Sequence, residues 1–137
     1  MKKLLLLTVL FMFSAVLFTA CDNDDGNSYK FKGTVELSHS PVSGDGTLSI
    51  AKLKSDNGDK IMFTATVKNS KGELIKDAAV SWGTTGFPIG EGYVSYPLPG
   101  RMVLFDVGDV YQAGDIISVK ASYIGVTSSE KTITFTP

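Results

Sequence analysis

From position 29 to the end of the chain, apolar and polar residues alternate in short runs. Turn-forming residues part these runs about every eight to twelve positions, the rhythm of a two-sheet β-sandwich. The segment 60–68 carries the pattern most plainly. Ile61, Phe63, Ala65 and Val67 share one face, Thr64, Thr66 and Lys68 the other, with Met62 the apolar exception on the polar side. A period of two places the first row against a core and leaves the second in water. Ile117, Val119, Ala121 and Tyr123 repeat the pattern, and Ile133 and Phe135 point inward in a last strand over 126–136, expected as an edge that could accept a partner strand. Further strands are expected at 29–37 (an edge strand), 47–53 (Leu48 and Ile50 against Thr47 and Ser49), 78–83 (Val80 and Trp82 inward), 91–96 and 102–107. Between them stand Asp56-Asn57-Gly58-Asp59, Asn69-Ser70-Lys71-Gly72, Pro97-Leu98-Pro99-Gly100, Gly108-Asp109 and Ala113-Gly114-Asp115, residues that tolerate positive φ or fix φ in turns. No stretch repeats apolar residues at three- and four-residue spacing, so no helix is expected.

The first twenty residues follow a different pattern. Met1-Lys2-Lys3 is a short cationic start, Leu4 to Phe18 is apolar except for Thr8 and Ser14, and Thr19-Ala20 are small residues before Cys21. This is the layout of a secretory signal, too short and wrongly flanked for a stable membrane span. Phe18-Thr19-Ala20-Cys21 resembles the lipobox of bacterial lipoproteins, with Phe18 where leucine is commonest. The resemblance implies a signal peptide, 1–20, that is cleaved off. It implies lipidation of Cys21, with a diacyl group on the sulfur and an acyl group on the new N-terminus. The membrane then becomes a partner through the lipid. Residues 21–28 hold Asp22, Asn23, Asp24, Asp25, Gly26, Asn27 and Ser28 behind the cysteine and no further apolar side chain. Such a run cannot bury enough surface to offset its ordering entropy and reads as a tether. Its acidic residues resemble the surface-export signal of certain Gram-negative groups, which implies an outer-membrane lipoprotein on the cell surface. A solvated spacer in the periplasm is the alternative. The run lacks the alternating ligands and distal glutamate of an EF-hand.

Charge narrows the partners. The chain has 13 basic and 14 acidic side chains, and Lys2 and Lys3 belong to the leader, leaving 11 against 14. A mildly acidic chain without a basic stripe argues against nucleic acid as a partner. It also removes a polybasic route to the membrane, for which buried acyl chains suffice at about 0.8 kcal/mol per methylene. Cys21 is the single cysteine, so no disulfide is available and the domain 29–137 must stand on packing and strand pairing.

The run from Ile61 to Trp82, with Asn69-Ser70-Lys71-Gly72 at its turn, resembles the opening half of the bacterial immunoglobulin-like (Big-like) domains of invasin- and intimin-type surface proteins. The closing half is similar at 113–123, at Val126-Thr127-Ser128-Ser129 and at Thr132-Ile133-Thr134-Phe135. The likeness covers about 58–137. It departs at 84–101, where Pro and Gly stand instead of the usual Asp-x-x-Gly turn. It implies an all-β, immunoglobulin-like, two-sheet antiparallel β-sandwich of about seven strands, with adhesion or spacing as its work. Trp82 is expected as the core marker, filling the middle between sheets about 10 Å apart.

Candidate chemistry is sparse. His39, the only histidine, falls in Ser38-His39-Ser40-Pro41, expected as a loop, and no Gly-x-Ser-x-Gly elbow accompanies it. One histidine beside a lipidated cysteine is a poor start for zinc. Glu91, Asp106, Asp109 and Asp115 lack the signature of a glycosidase pair. Asp106, Asp109 and Asp115 fit either a calcium site at one end of the sandwich or turn formation. No catalytic residue, metal or cofactor is expected. The candidate binding surface is 87–99, where Phe87, Tyr93 and Tyr96 stand among prolines and glycines that keep the loss of freedom on contact small. The other role for this stretch is to plug the sandwich with Phe87, Ile89 and Leu98. The expected function is a non-enzymatic, lipid-anchored envelope module for adhesion or association with another envelope protein. The alternative is a glycan-binding accessory lipoprotein of an outer-membrane polysaccharide uptake system.

Overall fold

The computed structural model describes residues 31–42, 44–87 and 93–137. The leader, Cys21, the tether, Ile89 and Glu91 lie outside these residues. Nine strands are described: β1 (Gly33–Ser40), β2 (Thr47–Ser49), β3 (Ile61–Asn69), β4 (Ser81–Thr85), β5 (Val94–Ser95), β6 (Arg101–Leu104), β7 (Ile116–Tyr123), β8 (Val126–Thr127) and β9 (Lys131–Thr136). Two short helices join them, α1 (Ile50–Asp56) and α2 (Val107–Val110). One sheet has the order β1-β3-β6-β5; the other runs β2-β9-β7-β4, with β8 paired to β7. The first order is that of the four-stranded sheet of an immunoglobulin constant-type sandwich, and β9-β7-β4 that of its three-stranded sheet, to which β2 and β8 are added. The chain is an all-β, immunoglobulin-like sandwich with no disulfide. Pairing is antiparallel except for β2 against β9, which run parallel with Leu48 opposite Phe135.

The alternating rows meet between the sheets. Ile61, Phe63, Met102, Leu104, Ile117, Ala121 and Ile133 have no solvent exposure, and Val67, Val119 and Phe135 have almost none. Phe135 stacks on Tyr111 with ring centroids 4.6 Å apart. Met62 faces out, as its place in the alternation requires.

Several expected elements are corrected. The strand expected at 47–53 stops at Ser49 and continues as α1, so the chain does contain helix. Ser49 caps it by accepting a hydrogen bond from the Lys52 amide, and only Leu53 is buried. A two-turn helix with one core residue has no apolar periodicity to detect, and its cap is a single serine. The strand expected at 102–107 likewise ends at Leu104 and gives way to α2. Asp59, at φ 60, accepts the Gly108 amide on its side chain, and Lys54 reaches Asp109 at 2.6 Å. These contacts tie the two helices together. The Asp109 hydrogen bond raises the Lys54 pKa above its ordinary value.

The last strand, expected as one piece over 126–136, breaks into β8 and β9 at Ser128. That hydroxyl is buried and accepts from the Ala121 amide. Nor is β9 an edge, because β2 covers its outer side. His39 lies within β1 rather than in a loop, opposite Phe63. The first described strand is Gly33–Ser40, and residues 29 and 30 of the expected strand lie outside the described residues.

Tyr111 supplies a test of the core. Its hydroxyl is buried with no hydrogen-bond partner among the described residues, and burial pushes its pKa up to about 12. The unfolded chain ionises near the ordinary tyrosine value of about 10. The folded state therefore holds its proton longer, and stability falls as pH rises from about 10 to about 12. Tyr111→Phe should remove that share of the alkaline loss and leave stability at pH 7 unchanged or higher by about 1 kcal/mol. Urea midpoints of both proteins across this pH range check it.

Candidate functional site

The two sheets each end in a short strand on the same flank of the sandwich, β4 in one and β5 in the other. Between them opens a groove of about 510 Å³, lined by Asp77, Val80, Trp82, Tyr96, Leu98 and Arg101 among others. Tyr96 is 62% exposed and Leu98 53%.

Trp82 reaches this groove because of its strand. It stands opposite Ala121, which is fully buried, so its side chain points toward the interior. But β4 is an edge, and an inward side chain on an edge strand sits at the open flank instead of the centre. Trp82 is half-buried against the core and is not the mid-core residue expected. The middle is filled from β3 and β9, by Phe63 and Phe135.

The opposite wall is a stiff corner. Pro97 and Pro99 fix two φ angles, and the Arg101 amide closes a turn onto the Leu98 carbonyl at 3.0 Å. Gly100 takes φ +71, and a Cβ there would stand 2.9 Å from the Ala65 carbonyl oxygen. Its own carbonyl accepts the Ala65 amide at 2.7 Å. The corner is thereby held down on β3, and Leu98 and Tyr96 are presented with little freedom to lose on contact. The lining offers two aromatic faces, aliphatic edges, one guanidinium and one carboxylate. That set suits recognition of a partner surface or of a ring with an apolar face.

The expected surface residues do not gather in one place. Tyr96 lines the groove. Tyr93, 37% exposed, stands beyond the other end of β5, where its carbonyl accepts the Phe105 amide. Phe87 packs half-buried against the core, its ring centroid 6.3 Å from that of Phe63. It borders a separate depression with Tyr111, Asp115 and Ile116. Asp77 and Arg101 were not singled out by sequence. Only the Pro-Leu-Pro-Gly corner hinted at their neighbourhood.

The remaining candidates find local partners. His39 meets the Phe63 ring edge-on, centroids 6.2 Å apart. Asp109 pairs with Lys54, Asp115 accepts the Gln112 amide at 2.8 Å, and Asp106 precedes α2 at φ 51. Among the described residues no three histidine, cysteine or acidic side chains come together as a metal site. No described helix is long and apolar enough to cross a membrane.

No family model matches the chain, and no curated protein matches it in sequence.

Proposed function

We propose that this protein is a lipid-anchored, non-enzymatic immunoglobulin-like module of the bacterial envelope, carried on Cys21 at the outer membrane and facing the cell surface. It associates with another envelope protein, and the Trp82–Tyr96–Leu98 groove is its recognition surface. The observation that supports this reading is the exposed apolar groove walled by a pinned proline corner. Rigid aromatics beside aliphatic edges are the composition of interface hot spots. The anchor reading rests on the lipobox resemblance.

The test is a photo-crosslinking residue at position 80, on the groove wall, in the lipidated protein within its own envelope. A single crosslinked protein is expected. Tyr96→Ala with Leu98→Ala should weaken that capture at least about tenfold, the scale of a hot-spot loss. The unfolding midpoint should change little, because both side chains are more than half exposed. Undiminished capture by the double variant would remove the groove from the reading.

A glycan-binding accessory role is the second reading. It is favoured by Trp82 and Tyr96 lining one groove with Arg101 and Asp77, aromatic faces for stacking beside polar groups for orientation. A glycan array probed with the wild type and with Tyr96→Ala separates the two. Absence of any bound glycan ends the second reading.

A further inference from the structure

We infer that the end of the sandwich where the chain enters rests on the lipid bilayer, through an exposed aliphatic residue on each of two loops. This rests on the reading of Cys21 as the lipid anchor.

Strand directions bring the loops together. Gly33, at the start of β1, lies opposite Asn69, at the end of β3, so the loop 70–80 is at the entry end. The Phe31 ring meets Tyr123 at 5.0 Å, which places the turn at Ile124-Gly125 there as well. β5 runs toward the same end, but its corner 96–100 is held on β3 at Ala65, short of the end at Asn69, and belongs to the groove. Leu74 is 57% exposed in the first loop and Ile124 51% in the turn.

Ile124 is the telling case. It sits at φ 44, a conformation that costs a β-branched residue strain and that asparagine or glycine would adopt freely. Its side chain is half in water, so packing does not repay that strain. A strained, exposed isoleucine at a hairpin tip points to a contact outside the fold.

The two ends also differ in charge. The connections at the far end, 54–60 and 105–115, hold Asp56, Asp59, Asp106, Asp109 and Asp115 against Lys54 and Lys60. An anionic membrane surface would repel that end. The entry end holds Lys32, Lys71 and Lys76 against Glu73, Asp77 and, after β8, Glu130, a balance that an anionic lipid surface repels less than the far end.

Reach favours the same end. Ten residues separate Cys21 from Phe31, at most about 35 Å of extended chain. Anchoring makes the loop contact intramolecular, so individually weak insertions act at high effective concentration. The Trp82–Tyr96 groove, on the flank between β4 and β5, would then stand beside the membrane.

The test uses the acylated full chain in vesicles of phosphatidylethanolamine and phosphatidylglycerol. Acylation occupies the sulfur of Cys21, the only native cysteine, so Leu74→Cys, Ile124→Cys or, at the far end, Gln112→Cys each adds one reactive thiol for an environment-sensitive fluorophore. Quenching by lipid-borne nitroxide should be several-fold stronger at 74 and 124 than at 112. In the chain labelled at 74, Ile124→Asp should cut the quenching at least about twofold while the protein stays in the vesicle fraction. Circular dichroism checks that each variant keeps its β-structure. Equal or absent quenching at all three positions, with acylation verified by intact mass, overturns this inference alone and leaves the tips to a protein partner. A chain lacking acyl groups overturns the anchor reading, and this inference with it.

Discussion

Phe63→Ala should destabilise the domain by about 3–5 kcal/mol, the cost of removing a buried phenylalanine and leaving a cavity. Phe63 has no exposed surface and stands on β3, between β1 and β6. It also touches the rings of His39 and Phe87, so its loss unseats the aromatic contact that fixes the chain after β4. Against a total stability of about 5–15 kcal/mol for a domain of this kind, much of the margin disappears. Two neighbours calibrate the result. Met62→Ala, one residue away and facing water, should cost less than about 1 kcal/mol. Trp82→Ala should cost about 1–2 kcal/mol, in keeping with a side chain only half withdrawn from solvent. Urea denaturation of the three variants ranks them. A Trp82 variant as unstable as the Phe63 variant would return the centre of the core to β4.

Gly86→Ala is the second large effect, an expected loss of more than about 2 kcal/mol. Gly86 has φ +77, and a Cβ there would stand 2.3 Å from the Ile116 carbonyl oxygen, a backbone atom that cannot rotate away. The left-handed conformation alone costs an L-residue about 1–2 kcal/mol; the collision adds to it. Gly125→Ala separates the two contributions. Its φ is +80, but nothing lies within 4 Å of the new atom, so it carries the conformational cost alone. The difference between the two unfolding free energies reads the steric part directly. Equal losses would mean that the chain at 86 moves aside without penalty.

The strands legible in the sequence were those whose two faces differ. β3, β7 and β9 alternate between a buried row and a more open one, with Ala65 and Tyr123 half-buried in the inward rows that alternation alone predicts. The turns at 56–59 and 69–72 were legible for the same local reason. Gly58, Asp59 and Gly72 adopt the positive φ their residue types allow. What escaped was short or shared. α1 buries one residue and α2 spans one turn, so neither offers a period to recognise. Serine 128 looks like a surface residue in the sequence, yet its hydroxyl stands in for a ladder bond at Ala121 and splits the last strand. Within the candidate groove, Tyr96 was legible as an aromatic between turn residues. Trp82 was read as interior, and Asp77 and Arg101 come from connections whose meeting no local pattern encodes.

By itself the sequence determined the β class, the central strands and the residues that line their buried faces, because period-two alternation is a property of each strand alone. It also carries the apolar run 4–18 and the single cysteine, on which the proposed anchorage rests. Only the tertiary structure decided which strands became edges, since an edge is defined by a neighbour that is absent, not by the strand's own residues. That decision moved Trp82 from the centre to a flank, covered β9 with a parallel β2, and left the aromatic groove open.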